Sequence, residues 1–200
     1  MTRPASVEAV ARALALPGGT SSDFDLNPGV VLPEGRKLRP AGVLCALQDS
    51  PGGVQVILTK RSAQLQHHPG QIAFPGGKQD PGDADPIAAA LREAEEEVAL
   101  PRDLVHVLGT LPTHETVTGF DVTPVIGWVT GEFVARAEAG EVAEVFRVPL
   151  AHVLDPANFR VEGRRWQGRR RYYYAVPYGP YYIWGATARI LRALAERVAR

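Results

Sequence analysis

The feature that most constrains this chain is the segment PIAAALREAEEEV at residues 86–98, which predicts an amphipathic helix. Asp85 is a favourable N-cap, and Pro86 fits the first helical position, where no N–H partner is required. Four apolar residues recur at i, i+4, i+7 and i+11 and therefore share one face: Ile87, Leu91, Ala94 and Val98. At about 100° per residue, three acidic residues fall together on a different face: Glu93, Glu96 and Glu97. The helix is expected to pack by its apolar side and to present three carboxylates.

The acidic face is a candidate metal site. Glu93 and Glu97 are four residues apart, a spacing at which like charges destabilise a helix. Arg92 lies beside the face and can pair with Glu96. Three converging carboxylates offer the oxygen ligands that a hard divalent cation prefers. The alternative, which is the commoner reason for such a pattern taken alone, is a solvated acidic surface.

Composition narrows the class of protein. The 200 residues carry 22 Lys and Arg against 22 Asp and Glu, so the chain as a whole is not drawn to nucleic acid or to a membrane. It has no apolar run as long as a membrane span and no signal-peptide pattern, so a cytoplasmic protein is expected. The length favours one domain over residues 1–200, with a helix and a surface loop at 1–38. No sequence feature predicts an oligomeric state.

The remaining elements predict an α/β fold. Residues 41–47 are apolar on both faces, as in a buried strand, and a second strand is expected at 54–60. Residues 74–77, FPGG, predict a turn, and residues 114–120 predict a polar loop. The other expected elements are a helix at 5–15, strands at 105–111 and 123–129, a hairpin at 158–174 and a last helix whose apolar face includes Ile190, Leu191, Leu194 and Val198. Such an order favours a mixed β-sheet between α-helices.

Residues 77–100 resemble the Nudix box, G-x5-E-x7-R-E-U-x-E-E-x-G-U, in which U is apolar. The matching residues are Gly77, Arg92, Glu93, Ala94, Glu96, Glu97 and Leu100. Three features depart from the box: Asp83 stands where its first Glu is expected, one extra residue precedes Arg92, and Ala99 replaces the Gly that closes the helix. The helix half is the more specific half, and Ala99 is its only departure.

This resemblance implies the Nudix fold, an α/β/α sandwich, and hydrolysis of a pyrophosphate bond in a nucleoside diphosphate derivative. It implies that Glu93, Glu96 and Glu97 ligate Mg²⁺ or Mn²⁺, with Glu93 and Glu97 as the principal pair. Gly77 is expected to add its carbonyl oxygen, and Arg92 to orient a glutamate. The catalytic set is therefore Arg92 with the three glutamates.

A second motif, just before the box, resembles that of the coenzyme A pyrophosphatase branch of the same family, L-L-T-x-R-(S/A)-x3-R-x3-G-x3-F-P-G-G. The matching residues are Leu58, Thr59, Arg61, Ser62, Gly70, Phe74, Pro75, Gly76 and Gly77. Ile57 replaces a Leu, and Gln66 replaces an Arg whose charge could meet a phosphate. The resemblance implies a substrate-binding set of Lys60, Arg61, Ser62, Gly70 and Phe74.

Two further segments resemble the same branch, 141–150 and 183–188, so the likeness spans roughly residues 39–192. The first makes Glu141 and Glu144 candidates for a further metal ligand or a general base, a role that Glu93 could also fill. His67 and His68 lie in the loop of the upstream motif, where a structural role is commoner than a substrate contact. The general base and the histidine role stay open at this point.

The function implied is metal-dependent hydrolysis of coenzyme A and its derivatives to phosphopantetheine and adenosine 3′,5′-bisphosphate. A first alternative is another Nudix substrate, such as ADP-ribose. A second is a non-catalytic module that binds RNA through the Arg- and Tyr-rich residues 158–174. The three crowded glutamates argue against a silent module, so a small nucleotide is the expected partner and nucleic acid is not.

Overall fold

The structure is a computed structural model that describes residues 3–65, 68–166 and 168–200, with only the backbone described for Trp166 and Arg169. Within these residues the α-helices are α1 (Ala5–Leu14), α2 (Pro86–Val98), α3 (Leu150–Leu154) and α4 (Ala186–Val198). The strands are β1 (Ser21–Ser22), β2 (Arg39–Gln48), β3 (Gln55–Arg61), β4 (Ile72–Ala73), β5 (Gly76–Lys78), β6 (Val105–Thr110), β7 (His114–Glu115), β8 (Phe120–Val129), β9 (Val142–Pro149), β10 (Arg160–Trp166) and β11 (Arg169–Ala175).

Strand β2 is the centre of a mixed sheet. It pairs in parallel with β8 along its whole length, from Arg39 beside Phe120 to Gln48 beside Val129. Its other edge is divided, because β5 pairs with its first half and β3 with its last residues, both antiparallel. The main path of the sheet is β1-β7-β8-β2-β3-β4, while β6 pairs with β8 and β9 with β3. Strands β10 and β11 form a separate two-stranded ribbon.

Helices cover both faces of the sheet because successive side chains of β2 point to opposite sides. Leu44 packs in a buried cluster with Ala94 and Val98 of α2. Its neighbour Cys45 belongs to a second cluster, which contains residues of α1, α3 and α4, among them Leu191. The mixed sheet between α-helices and the α/β/α sandwich are therefore confirmed. Leu44, Cys45 and Leu191 are 0–1% exposed, and together the two clusters form the core.

The turn predicted at residues 74–77 is wrong in its second half. Gly76 and Gly77 belong to β5 and lie opposite Val43 and Gly42 of β2. Gly76 has a φ of 152°, and a Cβ atom there would lie 2.4 Å from the carbonyl oxygen of Gly42. Only glycine fits so close to a neighbouring backbone, so the glycines that suggested a turn instead permit a tight strand pairing.

The polar loop predicted at 114–120 is also partly wrong. His114 and Glu115 form β7, and β8 already begins at Phe120. His114 is fully buried because Ser21 and Asp23, which lie far away in the sequence, both hydrogen-bond its ring. The helices at the two ends, the strands from β2, β3, β6 and β8, and the hairpin β10–β11 are confirmed. In the described parts of the chain, no helix combines the length and the hydropathy needed to span a membrane.

Candidate active site

Helix α2 begins as its sequence predicts. The Asp85 side chain accepts a hydrogen bond of 2.7 Å from the amide of Ala88, and Pro86 is the first helical residue. Ala90, Ala94 and Val98 are fully buried against the sheet. This packing fixes the rotation of the helix, so the glutamates on its adjoining face are directed toward β5.

The same helix ends in a left-handed residue that is not glycine. Ala99 has φ 58° and ψ 34°, and its amide bonds back to the last turn of the helix. A left-handed conformation costs an L-residue about 1 kcal/mol relative to glycine. The Nudix box has glycine at this position. Ala99 therefore keeps the left-handed backbone conformation that glycine favours, although it is not glycine.

Arg92 joins the carboxylates of the site. Its Nη1 donates to Glu93 at 2.9 Å and to Glu96 at 3.2 Å. Its Nε and Nη2 donate to the two carboxylate oxygens of Asp83 at 3.0 and 2.9 Å. Nη2 also donates to the carbonyl oxygen of Lys78 at 3.3 Å, which ties the guanidinium to β5. The Asp83 hydrogen bond is the first cause of the raised pKa of Arg92.

Asp83 is the residue that sequence reasoning left out. Its side chain is 6% exposed and receives the amide of Asp80 at 2.8 Å in addition to Arg92. The hydrogen bond from Arg92 lowers the pKa of this carboxyl, and the amide of Asp80 contributes. The sequence did contain the signal, since Asp83 occupies the acidic position that opens the box. The extra residue before Arg92 obscured the match.

Glu93 lies against the backbone of Gly77. A Cβ atom at Gly77 would fall 2.5 Å from Oε1 of Glu93, so a side chain there would push the carboxylate away. The Glu93 side chain is 16% exposed, and its burial raises its pKa despite the neighbouring Arg92. The structure thus brings two expected metal-site residues, Glu93 and Gly77, into direct contact.

Glu97 is the most buried acid of the site, with 5% exposure. It accepts a hydrogen bond of 3.1 Å from the amide of Gly76. Burial raises the pKa of Glu97 to about 7, and the charge of Glu93 adds to the rise, while the Gly76 amide and Arg61 oppose it. Glu96, by contrast, keeps 57% of its side chain exposed and contacts Arg92. The three glutamates therefore occupy unlike environments, which helical periodicity alone does not show.

The burial of the site's carboxylates favours a divalent cation, but these carboxylates supply only part of a metal's ligands. Glu93 and Glu97 are shielded from water and both have raised pKa values, so added positive charge would stabilise them. Among the described residues, no group of three or more His, Cys, Asp or Glu side chains is arranged to hold a metal ion. Mg²⁺ commonly takes only one or two protein carboxylates and fills its shell with water and substrate phosphates. The pair of glutamates, with Glu93 against Gly77, meets that need.

The upstream motif brings Arg61 to the site. Arg61 ends β3 and is close enough to Glu97 to lower the pKa of that carboxyl. Its buried Nε has no hydrogen-bond partner among the described residues. Lys60 is exposed and lies opposite Glu144 of β9. Ser62 is 7% exposed, and its hydroxyl already accepts the amide of Gln64 at 3.3 Å.

The other expected binding residues have structural positions. Gly70 is exposed with a φ of 71°, and its amide closes the loop by donating to the Arg61 carbonyl at 3.1 Å. Phe74 is 4% exposed and lies in the core cluster beneath α4, so its position gives no support to a substrate contact. Gln66 and His67 lie outside the described residues. His68 is exposed and left-handed, with a φ of 54°.

The two candidate bases, Glu141 just before β9 and Glu144 within it, differ in their surroundings. Glu141 is exposed, and its charge acts on both Glu93 and Glu97. Its carbonyl accepts the amide of Ser62 at 2.8 Å, which joins it to the upstream motif. Glu144 instead receives the hydroxyl of Tyr181 at 2.5 Å. Geometry therefore favours Glu141 over Glu144 as an additional acid of the site.

The ribbon β10–β11 concentrates positive charge. Arg164 lies opposite Arg171, and Arg165 lies opposite Arg170, pairings that are unfavourable for like charges. Some of these guanidinium groups lie over aromatic rings. The guanidinium carbon of Arg171, for example, is 5.3 Å from the centroid of the Phe24 ring. The predicted hairpin is present, and most of its described arginine side chains are exposed.

Residues 38–168 match the NUDIX domain family. A protein from Enterobacter sp. (strain 638), named Uncharacterized Nudix hydrolase NudL, is 43% identical over 162 residues, covering 80% of this chain and 83% of its own. Among solved structures, a MutT/nudix family protein from Enterococcus faecalis aligns with a TM-score of 0.51 at 15% identity, over 100% of this chain and 76% of that one. A MutT protein from Methanosarcina mazei Go1 also has a TM-score of 0.51, at 19% identity, with coverages of 84% and 97%. The two structures support the fold.

Proposed function

The chain belongs to the Nudix hydrolase family, and from that premise we propose that it hydrolyses the pyrophosphate bond of coenzyme A and its derivatives. Members of the family act on small nucleotide substrates with divalent metal ions such as Mg²⁺ or Mn²⁺. The observation that carries the proposal is the joint position of two motifs. Arg61 belongs to the motif that resembles that of the coenzyme A branch, and Glu97 belongs to the box. The charge of Arg61 lowers the pKa of Glu97.

The reaction is a hydrolysis in which the oxygen of water bonds to one phosphorus of the pyrophosphate. The bridging P–O bond breaks, and the other phosphate leaves with the bridging oxygen. With coenzyme A the products are phosphopantetheine and adenosine 3′,5′-bisphosphate. The electrostatic difficulty is that an already anionic substrate gains negative charge on the leaving oxygen.

Glu93, Glu97 and the Gly77 carbonyl would hold Mg²⁺ or Mn²⁺, with Glu96 at the exposed edge. When bound, the metal neutralises phosphate charge and makes water a stronger nucleophile. The fit rests on the raised pKa values of two shielded carboxylates and on the contact of Glu93 with a residue that has no side chain. Arg92 holds the carboxylate of Glu93 in place, and Asp83 holds Arg92.

The remaining residues of the site position the substrate and its protons. Gly76 and Gly77 lack side chains, so β5 can pair closely with β2 and the Glu93 carboxylate can lie against the backbone. Arg61 is close enough to Glu97 to lower the pKa of that carboxyl, and we assign it to a substrate phosphate. Lys60 adds a second charge at the end of the same strand. Glu141 can take a proton from the attacking water, since it is exposed and electrostatically coupled to both inner glutamates.

Product analysis tests this proposal. The protein is incubated with coenzyme A and Mg²⁺ or Mn²⁺, and the products are identified by mass. We expect phosphopantetheine and adenosine 3′,5′-bisphosphate, and at least a hundredfold lower rate for Glu97→Gln, because metal-assisted catalysis supplies several kcal/mol. Glu95→Gln, on the exposed side of α2, is the matched control and should keep its rate. Near-normal turnover of Glu97→Gln at saturating Mg²⁺ would contradict the metal assignment.

A cytoplasmic location and a single domain over residues 1–200 stay predictions. The RNA-binding alternative has one supporting observation, the opposed arginines of the ribbon β10–β11. We expect only weak and non-specific RNA binding that declines steeply with salt. Tight RNA binding at physiological salt would favour that alternative.

A further inference from the structure

Three aromatic side chains form a partly exposed group beside the ribbon, which we call the aromatic cluster: Tyr173, Tyr182 and Trp184. The rings of Tyr173 and Trp184 are 5.0 Å apart between centroids and tilted by 59°. The hydroxyls of Tyr173 and Tyr182 are 3.2 Å apart. Tyr182 is 40% exposed, and the other two are half-buried, so each presents a surface to solvent.

Backbone hydrogen bonds fix the position of Trp184 in the aromatic cluster. The amide of Val176 donates to the carbonyl of Ile183 at 2.8 Å, and the amide of Gly185 donates to the carbonyl of Tyr174 at 3.0 Å. These two bonds enclose Trp184 and pair it with Ala175 at the end of β11. A preorganised aromatic surface loses little freedom when a ligand binds.

The aromatic cluster is adjacent to the upstream motif of the active site. The hydroxyl of Thr187 donates to the carbonyl of Ile72 at 3.0 Å, which joins the start of α4 to β4. A Cβ atom on Gly185 would lie 3.6 Å from the side-chain amide of Gln71. The backbone amide of Arg61 in turn donates to the carbonyl of Gln71 at 2.9 Å. Gly185, the residue after Trp184, is therefore linked to Arg61 through Gln71.

A cation lies over the ring of Trp184. The guanidinium carbon of Arg164 is 5.7 Å from the centroid of Trp184, and Arg164 is exposed. Among the described side chains, Arg164 forms no salt bridge with an acid. Aromatic faces with a neighbouring arginine are the usual chemistry by which proteins bind nucleobases, since the rings stack and the cation meets phosphate.

We propose that the aromatic cluster binds the nucleobase of the nucleotide substrate. This inference rests on the proposed function for its substrate class. The simpler explanation is that these rings only attach the ribbon to the body. That explanation accounts for the hydroxyl of Tyr182, which donates to Glu162 of β10 at 2.6 Å, but it does not require that Tyr182 stay 40% exposed.

The test compares two ligands that differ only in the base. Binding of AMP and of ribose 5-phosphate is measured by calorimetry on the full chain without metal, so that cleavage plays no part. Stacking of a base on an aromatic ring contributes to the free energy of binding, so Trp184→Ala should weaken AMP binding about fivefold or more. Ribose 5-phosphate should bind the variant and the unmodified protein alike, and Trp184→Phe should recover part of the lost affinity.

Tyr172→Ala is the matched control, since Tyr172 is a 41% exposed aromatic of the same ribbon outside the aromatic cluster. Its AMP affinity should be unchanged. Tyr182→Ala provides a second variant if Trp184→Ala does not fold, as judged by thermal unfolding. Equal AMP affinity in the folded cluster variants, or AMP binding no tighter than ribose 5-phosphate in the unmodified protein, would overturn the proposal. Because AMP is not cleaved, this outcome is independent of whether coenzyme A is the substrate.

Discussion

The amide of Gly76 donates a hydrogen bond to the carboxylate of Glu97 across 3.1 Å, so strand β5 and helix α2 meet at a buried acid. That contact joins the two halves of the site, the glycine backbone and the acidic helix. In the folded protein this hydrogen bond from the backbone takes the place of water at the buried Glu97 carboxylate. A carboxylate in that position is unfavourable for folding without a cation, and the consequence can be measured.

The first prediction concerns the stability of the metal-free protein. The pKa of Glu97 is about 7 in the folded protein against 4.5 ordinarily, so between these pH values the folded state binds the proton more tightly. The free energy of unfolding therefore falls as pH rises from about 4.5 to 7, by an amount on the order of 3 kcal/mol from this group. We expect Glu97→Gln to be the more stable protein at pH 8 and to differ little at pH 4.5.

Urea unfolding in a chelator, repeated across that pH range, measures this difference. Glu95→Gln is the control, because Glu95 is exposed and pairs with Arg102 at the surface. Its stability should follow that of the unmodified protein. An identical pH dependence for all three proteins would show that Glu97 is not strained by burial.

The second prediction concerns the contact between Gly77 and Glu93. A methyl group on Gly77 would displace the Glu93 carboxylate, since the Cβ position lies 2.5 Å from Oε1. We expect Gly77→Ala to lower the apparent affinity for Mn²⁺ by about tenfold or more, in the range seen when a ligand's support is disturbed. The readout is hydrolysis rate against Mn²⁺ concentration. Gly82→Ala, where the added methyl meets no atom within 4 Å, should leave the Mn²⁺ curve in place.

The third prediction concerns the end of α2. Ala99 has a left-handed backbone conformation, in which alanine is strained and glycine is not. Ala99→Gly removes this strain, and the relief offsets the greater conformational freedom of glycine in the unfolded chain. We expect a gain of about 0.5–1 kcal/mol in the free energy of unfolding, with activity retained. Chemical denaturation measures it, and a loss of stability would indicate that the left-handed conformation is not strained.

The fourth prediction concerns Asp83. Asp83→Asn keeps the size of the side chain but removes the charge that receives two guanidinium nitrogens of Arg92. Arg92 would then hold Glu93 less firmly, and we expect about a tenfold fall in metal affinity or rate, as for other supporting residues. Asp80→Asn is a suitable comparison, because Asp80 is more exposed and lies 3.8 Å from Arg92. Equal effects of the two substitutions would refute a special role for Asp83.

Local patterns account for what the sequence predicted well. The cap at Asp85, the proline after it and the apolar periodicity are all contained within α2, and the acidic face follows from them. The paired strands β2 and β8 were also predictable, because their apolar runs require burial.

The failures arise where distant segments decide the outcome. His114 is buried because Ser21 and Asp23 bind its ring from more than 90 positions away. Gly76 and Gly77 form a strand because β2 offers a backbone edge that only glycine can approach. The division of the glutamates into one buried, one half-shielded and one exposed side chain depends on where β5 lies against α2. Periodicity cannot supply that information.

The identity of the substrate is tested by the ratio of kcat/KM for coenzyme A to that for ADP-ribose, with dephospho-coenzyme A as a third substrate. A charge-assisted contact to the 3′-phosphate contributes roughly 1.5–3 kcal/mol, or about ten- to a hundredfold. We expect coenzyme A to be cleaved at least about tenfold more efficiently than either comparison substrate, and Arg61→Ala to reduce that ratio. Equal or better cleavage of ADP-ribose by the unmodified protein would contradict the assignment of coenzyme A as the substrate.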